Sequence, residues 1–134
     1  MYTTIGSAAA TSLRGGPPFG GCELWIARSL KACDQDIITL HSSPKLLIVR
    51  VRLAACSLLL VVGHAPTSDL PENVIANWWR ELAEAVDKLA RPTDSVVCMI
   101  EANARVGSEV SVAIGPAAAG RESFGGACMH QFLV

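Results

Sequence analysis

Three side chains in this 134-residue sequence join a type that metal and phosphate chemistry uses to a place at the end of an apolar run. They are His64, Glu101 and Asn103, and the first two directly follow apolar runs, residues 57–63 (SLLLVVG) and 96–100 (VVCMI). Glu101 and Asn103 stand two apart, with the small Ala102 between them. A strand's period of two puts both side chains on one side wherever extended geometry persists that far. An acid beside an amide at a strand end can hold a metal, or a water and a phosphate oxygen.

The elements that must position these groups are legible from pattern. The uninterrupted run at 96–100 reads as a strand covered on both faces, and so does 57–63. Pro66 cannot donate to a ladder, so the chain leaves the sheet just after His64. Upstream, residues 46–53 alternate: Leu47, Val49, Val51 and Leu53 fall on one face, Ile48, Arg50 and Arg52 on the other. The two arginines are expected to face solvent rather than phosphate. The short Ala54-Ala55-Cys56 link makes this strand and the next antiparallel. Residues 22–26 and 37–41 are two further short strands. Residues 1–21 read as a frayed strand followed by the loop GGPPFGG, which has neither of the common phosphate-cradling glycine spacings.

Between the two chemistry-bearing strands lies a helix. Asp69, Pro71 and Glu72 form a capping-box analogue with Asp69 as N-cap, and the helix is expected to run to about Ala90, ahead of Pro92. Ile75, Trp78, Leu82, Ala85, Val86 and Leu89 make one apolar stripe, with Trp79 beside it. The Trp78–Trp79 pair reads as a core anchor rather than a base-stacking platform. After Gly107 comes a loop with Gly115-Pro116 and Gly120, and then Gly125-Gly126 opens one or two helical turns over 127–134.

Composition bounds the class. Apolar residues make up 51% and charged residues 17%, which marks a globular chain, and a formal net charge of −1 excludes a bulk basic field for gripping nucleic acid. The five cysteines show no C-x-x-C spacing and read as buried free thiols, which suits a reducing compartment. The N-terminus lacks a basic n-region, and the apolar run 53–62 is too short to span a bilayer. The expectation is one soluble, intracellular domain over 1–134, with no membrane partner.

With the pieces placed, their order resembles the endonuclease/exonuclease/phosphatase superfamily, which includes exonuclease III, pancreatic-type deoxyribonuclease and retroelement endonucleases. The match covers roughly residues 20–133. GGCELWI (20–26) looks like the strand after that family's first metal-ligand motif. LLLVVGHAPT (58–67) resembles its strand ending in an aromatic or His followed by x-Pro, and WWREL (78–82) sits in its next helix. VVCMIEANARVG (96–107) is similar to its Gly-Asp-x-Asn strand end, and IGPAAAGRESFGGACMHQFL (114–133) to its Gly-Pro loop and short helix.

The resemblance implies an α/β fold: a partial four-layered α/β sandwich whose mixed, mostly antiparallel sheet is flanked by helices. It also implies Mg²⁺-dependent phosphodiester hydrolysis, with DNA or another phosphodiester as substrate. Carried over by position, Glu101 would contact the metal and orient or activate the attacking water. Asn103 would contact the scissile phosphate, and His64 a phosphate oxygen.

The departures are specific. Glu101 stands where the family has Asp, and Ile100 where it has Gly. The family's upstream Gln/Asn-x-Glu metal motif and its closing Ser-Asp-His motif have no counterpart, and His130 is in the wrong segment to substitute. These residues are therefore expected to be an inactive nuclease-like fragment of the retrotransposon type. One alternative is a minimal metal-dependent hydrolase built on Glu101 and His64, for which Glu23, Glu109 and Glu122 are the further acids. The other is a non-catalytic interaction module that uses its sheet edges.

Overall fold

The structure is a computed structural model, and it describes residues 1–10, 20–30, 32, 34–107, 111–112 and 120–134. Most of the GGPPFGG loop, Cys33, Glu109 and Gly115-Pro116 lie outside the described residues. The chain forms two compact units, Met1–His64 with Lys88–Ile100, and Ala65–Asp87 with Glu101–Val134.

The first unit is built from β-strands. β1 (Tyr2–Gly6) and β2 (Glu23–Ala27) form an antiparallel pair, with Tyr2 opposite Ala27 and Gly6 opposite Glu23. A second sheet has the order β3 (Ile37–Ser43), β4 (Leu46–Arg52), β5 (Ser57–His64), β6 (Asp94–Glu101). β3, β4 and β5 pair antiparallel in sequence, β4 and β5 through the expected short link, closed by the Leu53 N–H donating to the Cys56 carbonyl at 2.8 Å. β6 returns beside β5 after a long crossover, and the sheet is mixed. Cys22, Leu24 and Ile26 of the β2 segment pack with Leu47, Val49 and Val51 of β4 as one apolar core. This is the face that alternation at 46–53 marks as apolar.

The other face of β4 corrects an expectation. Arg50 is 4% exposed, not solvated. Its Nε and Nη2 donate to Asp94 Oδ2 at 3.1 and 2.9 Å, and Nη2 also donates to the Leu89 carbonyl. Ser57 Oγ donates to Asp94 Oδ1 at 2.6 Å, and the Arg91 N–H to Oδ2 at 3.0 Å. β4 is an interior strand, buried on both sides, so its guanidinium needs a paired, hydrogen-bonded anion. The Ser57 hydroxyl and the Arg50 guanidinium hold the Asp94 carboxyl at about 2, below the usual 3.8. Arg52, at the strand end, is exposed as expected, with Asp36 3.8 Å away.

β6 corrects another. It lies at the edge of its sheet, and Val96, Val97 and Met99 are about 40% exposed, so it is not covered on both faces. Its apolar run comes from the same β-forming residues as an interior strand, but nothing in the run states how many neighbours it will have. The thiols divide likewise: Cys22 is buried, Cys128 half-buried, and Cys56 and Cys98 exposed, so burial holds for only part of the set. Burial pushes the Cys22 thiol up.

The second unit is helical. α1 (Glu72–Leu89) buries Ile75, Trp79 and Leu82, whereas Trp78 is only half-buried. Trp79, not Trp78, is the anchor, and the Trp78 ring meets it edge-on at 5.0 Å. The helix also starts later than the Asp69 cap implies. The Pro71 carbonyl accepts from the Ile75 N–H at 3.2 Å and so occupies the cap position. Asp69 instead accepts a hydrogen bond from the Thr67 side chain, which holds its carboxyl below the usual range. α2 (Phe124–Leu133) begins at Ser123, whose Oγ accepts from the Gly126 N–H at 3.1 Å. Gly125 and Gly126 thus lie inside the helix instead of preceding it. A Cβ on Gly126 would overlap the Arg105 carbonyl, which is why a residue of poor helix propensity occupies that turn.

Candidate functional site

The turn after β6 is tied down by backbone bonds within the second unit. The Glu101 carbonyl accepts from the Ala65 N–H at 2.9 Å, and Asn103 Nδ2 donates to the Ala65 carbonyl at 2.8 Å. Ala65 is 1% exposed, so both of its backbone groups are satisfied by this turn. Asn103 sits at φ 47°, in the left-handed region that Asn tolerates better than most residues. Extended geometry ends at Glu101, so the period-two argument does not carry to Asn103. The two side chains belong to one turn instead, in which Glu101 is exposed and Asn103 half-buried.

One amide N–H of Asn103 is spent on Ala65. The second N–H can donate to a phosphate oxygen, and Oδ1 can accept from a water. His64 is the last residue of β5, in the first unit, half-buried, its backbone N–H donating to the Lys45 carbonyl at 3.0 Å.

Two residues that sequence reasoning passed over hold the turn's far end. The Ser123 N–H donates to the Arg105 carbonyl and the Arg105 N–H to Ser123 Oγ, both at 3.0 Å. A serine just ahead of an apolar run was the available cap signal. Arg105 leaves this turn as an exposed cation two residues from Asn103, which adds a basic group to the acid and amide. Gly107, at φ 71°, closes the turn where a Cβ would lie 2.9 Å from the Glu122 Cβ.

Among the described residues, no group of three or more His, Cys, Asp or Glu side chains is placed to hold a metal ion. Glu23 is exposed on β2 of the first unit. Glu122 faces His130, with Oε1 3.7 Å from Nδ1. Glu109 lies outside the described residues. Mg²⁺ is held by one or two carboxylates with further oxygens in octahedral order, and Glu101 supplies one carboxylate to this turn. No helix among the described residues is long and apolar enough to cross a membrane. Comparison with protein-family models, curated proteins and solved structures finds no match for this chain.

Proposed function

We propose that these residues form part of an endonuclease/exonuclease/phosphatase-type α/β sandwich, of the retroelement kind, that engages a phosphodiester such as DNA without cleaving it unaided. The observation that supports this most is the tied turn. Asn103 is held in a left-handed conformation by its own amide, beside Glu101 and close in sequence to Arg105. Strain of this kind persists where surrounding bonds over-determine it, often at ligand clamps. In this reading Asn103 donates to a phosphate oxygen, Arg105 supplies attraction, and Glu101 orients a water. Hydrolysis would also need developing charge on the phosphoryl oxygens to be stabilised, and one carboxylate with one amide is a poor set for that.

The test is fluorescence anisotropy of a labelled duplex oligonucleotide. Binding is expected to weaken as salt rises, and to weaken further in Asn103→Ala and Arg105→Gln. Equal binding by the parent and both variants would contradict the reading.

The exposed edge strand β6 favours a second reading, a non-catalytic module that accepts a partner at its sheet edge. Oligonucleotide binding absent from the parent, with self-association or peptide-strand binding that Val97→Lys abolishes, would select it.

A further inference from the structure

The ribbon of β1 and β2, within the first unit, has two unlike faces. Leu24 and Ile26 go into the core, whereas Tyr2, Thr4, Gly6, Glu23 and Trp25 are exposed. On the outer face Tyr2 stands opposite Ala27, Thr4 opposite Trp25 and Gly6 opposite Glu23. Each large side chain thus faces a smaller one. Tyr2 and Trp25 are diagonal neighbours, a spacing that aromatic side chains can bridge across a ladder. Their ring centroids are 5.9 Å apart and the planes are tilted by 53°. Tyr2 is 56% exposed and Trp25 62%, so two adjoining rings are open to solvent. The polar side chains beside them are the Thr4 hydroxyl and the Glu23 carboxylate, and none of the six residues of this face is basic. Bases stack well on aromatic rings, but a strand's phosphates need cations, and the Glu23 carboxylate repels them. The same carboxylate is a strong acceptor for hydroxyl groups.

We propose that this face binds a neutral saccharide chain of all-equatorial pyranose rings, such as a cello-oligosaccharide. Such a ring turns its axial C–H bonds to its two faces and its hydroxyls to its rim. The C–H bonds carry slight positive charge and meet the negative faces of the Trp25 and Tyr2 rings. The rim hydroxyls donate to the Glu23 carboxylate and exchange hydrogen bonds with Thr4. Two rings tilted to each other seat successive sugars of a twisted chain. The proposal does not rest on the phosphodiester reading.

The experiment titrates the ¹⁵N-labelled chain with cellohexaose and follows the indole N–H signals of its three tryptophans, Trp25 being assigned by Trp25→Phe. The Trp25 signal is expected to move and to saturate at millimolar sugar, while that of Trp79, buried in α1, stays still. Trp25→Ala should abolish the accompanying shift of the Thr4 amide. Tyr2→Ala should weaken binding about tenfold, which one aromatic contact can account for. Both side chains are exposed, so a dispersed spectrum should survive either change and serves as the folding control. An unmoved Trp25 signal at millimolar sugar would overturn the proposal, and so would unchanged affinity in Tyr2→Ala. Oligothymidylate that shifts Trp25 as strongly at equal concentration would also overturn it, by making the face a platform for single strands. A Trp25 signal that moves with protein concentration alone would overturn it in favour of a contact with a second copy.

Discussion

β4 and β6 look alike as text, LLIVRVR and DSVVCMIE, each a short run of β-branched and long apolar residues. In the folded chain they are opposites. β4 has a neighbour on each side, and all its residues but Arg52 are buried, including a guanidinium; β6 has, among the described residues, only β5 beside it, and most of its side chains are exposed. The difference lies in the number of neighbours, not in propensity. An interior strand must even bury its polar residues, and does so by pairing them. An edge strand keeps its apolar ones in water. One bond network joins the two strands, since Asp94 at the start of β6 is the anion that lets Arg50 sit inside β4.

The comparison has a helical counterpart, and the largest effect is expected there. Trp79→Ala should cost roughly 3–5 kcal/mol, the range for large aromatic truncations in a core, and Trp78→Ala clearly less. Urea unfolding of both variants checks this; the reverse order would put the buried face of α1 one residue out of register. Next, Ile48→Ala in β4 should cost about 2–5 kcal/mol by the same measurement.

The link between the strands should show in acid. The folded Asp94 carboxyl sits at about 2 against an ordinary 3.8, so its contribution is present above roughly pH 4 and lost as pH falls toward 2. Asp94→Asn should lower stability at neutral pH and flatten the decline across that window. An unchanged acid profile would mean that Asp94 is not the anion that holds Arg50. The smallest effect belongs to β6: Val97→Ala should stay within about 0.5 kcal/mol of the parent, as exposed substitutions do. A loss matching that of Ile48→Ala would show that β6 is covered after all.

Much of this fold was readable in the sequence, because period and turn length are local properties. The alternation at 46–53, the short link to the next strand and the long amphipathic helix each needed only a window of residues. What was not readable depended on distant partners. Arg50 looks solvated until Asp94, 44 residues on, is beside it. Trp78 and Trp79 differ by one helical step, and only packing decides which faces inward. At the candidate site the residue types were legible, a histidine and an acid each ending a strand and an amide just after one. The hold of Asn103 on the Ala65 carbonyl was not, since a left-handed turn leaves no periodic trace.

The reading of Glu101 and Asn103 as phosphodiester-engaging groups that do not cleave unaided is tested most directly by plasmid nicking. Purified chain and its Glu101→Ala variant are incubated with supercoiled DNA in Mg²⁺ and, separately, in Mn²⁺. The account predicts no nicking above the protein-free control from either protein in either metal. Nicking by the parent that disappears in Glu101→Ala would contradict it, and would make Glu101 the centre of a working, reduced hydrolytic site.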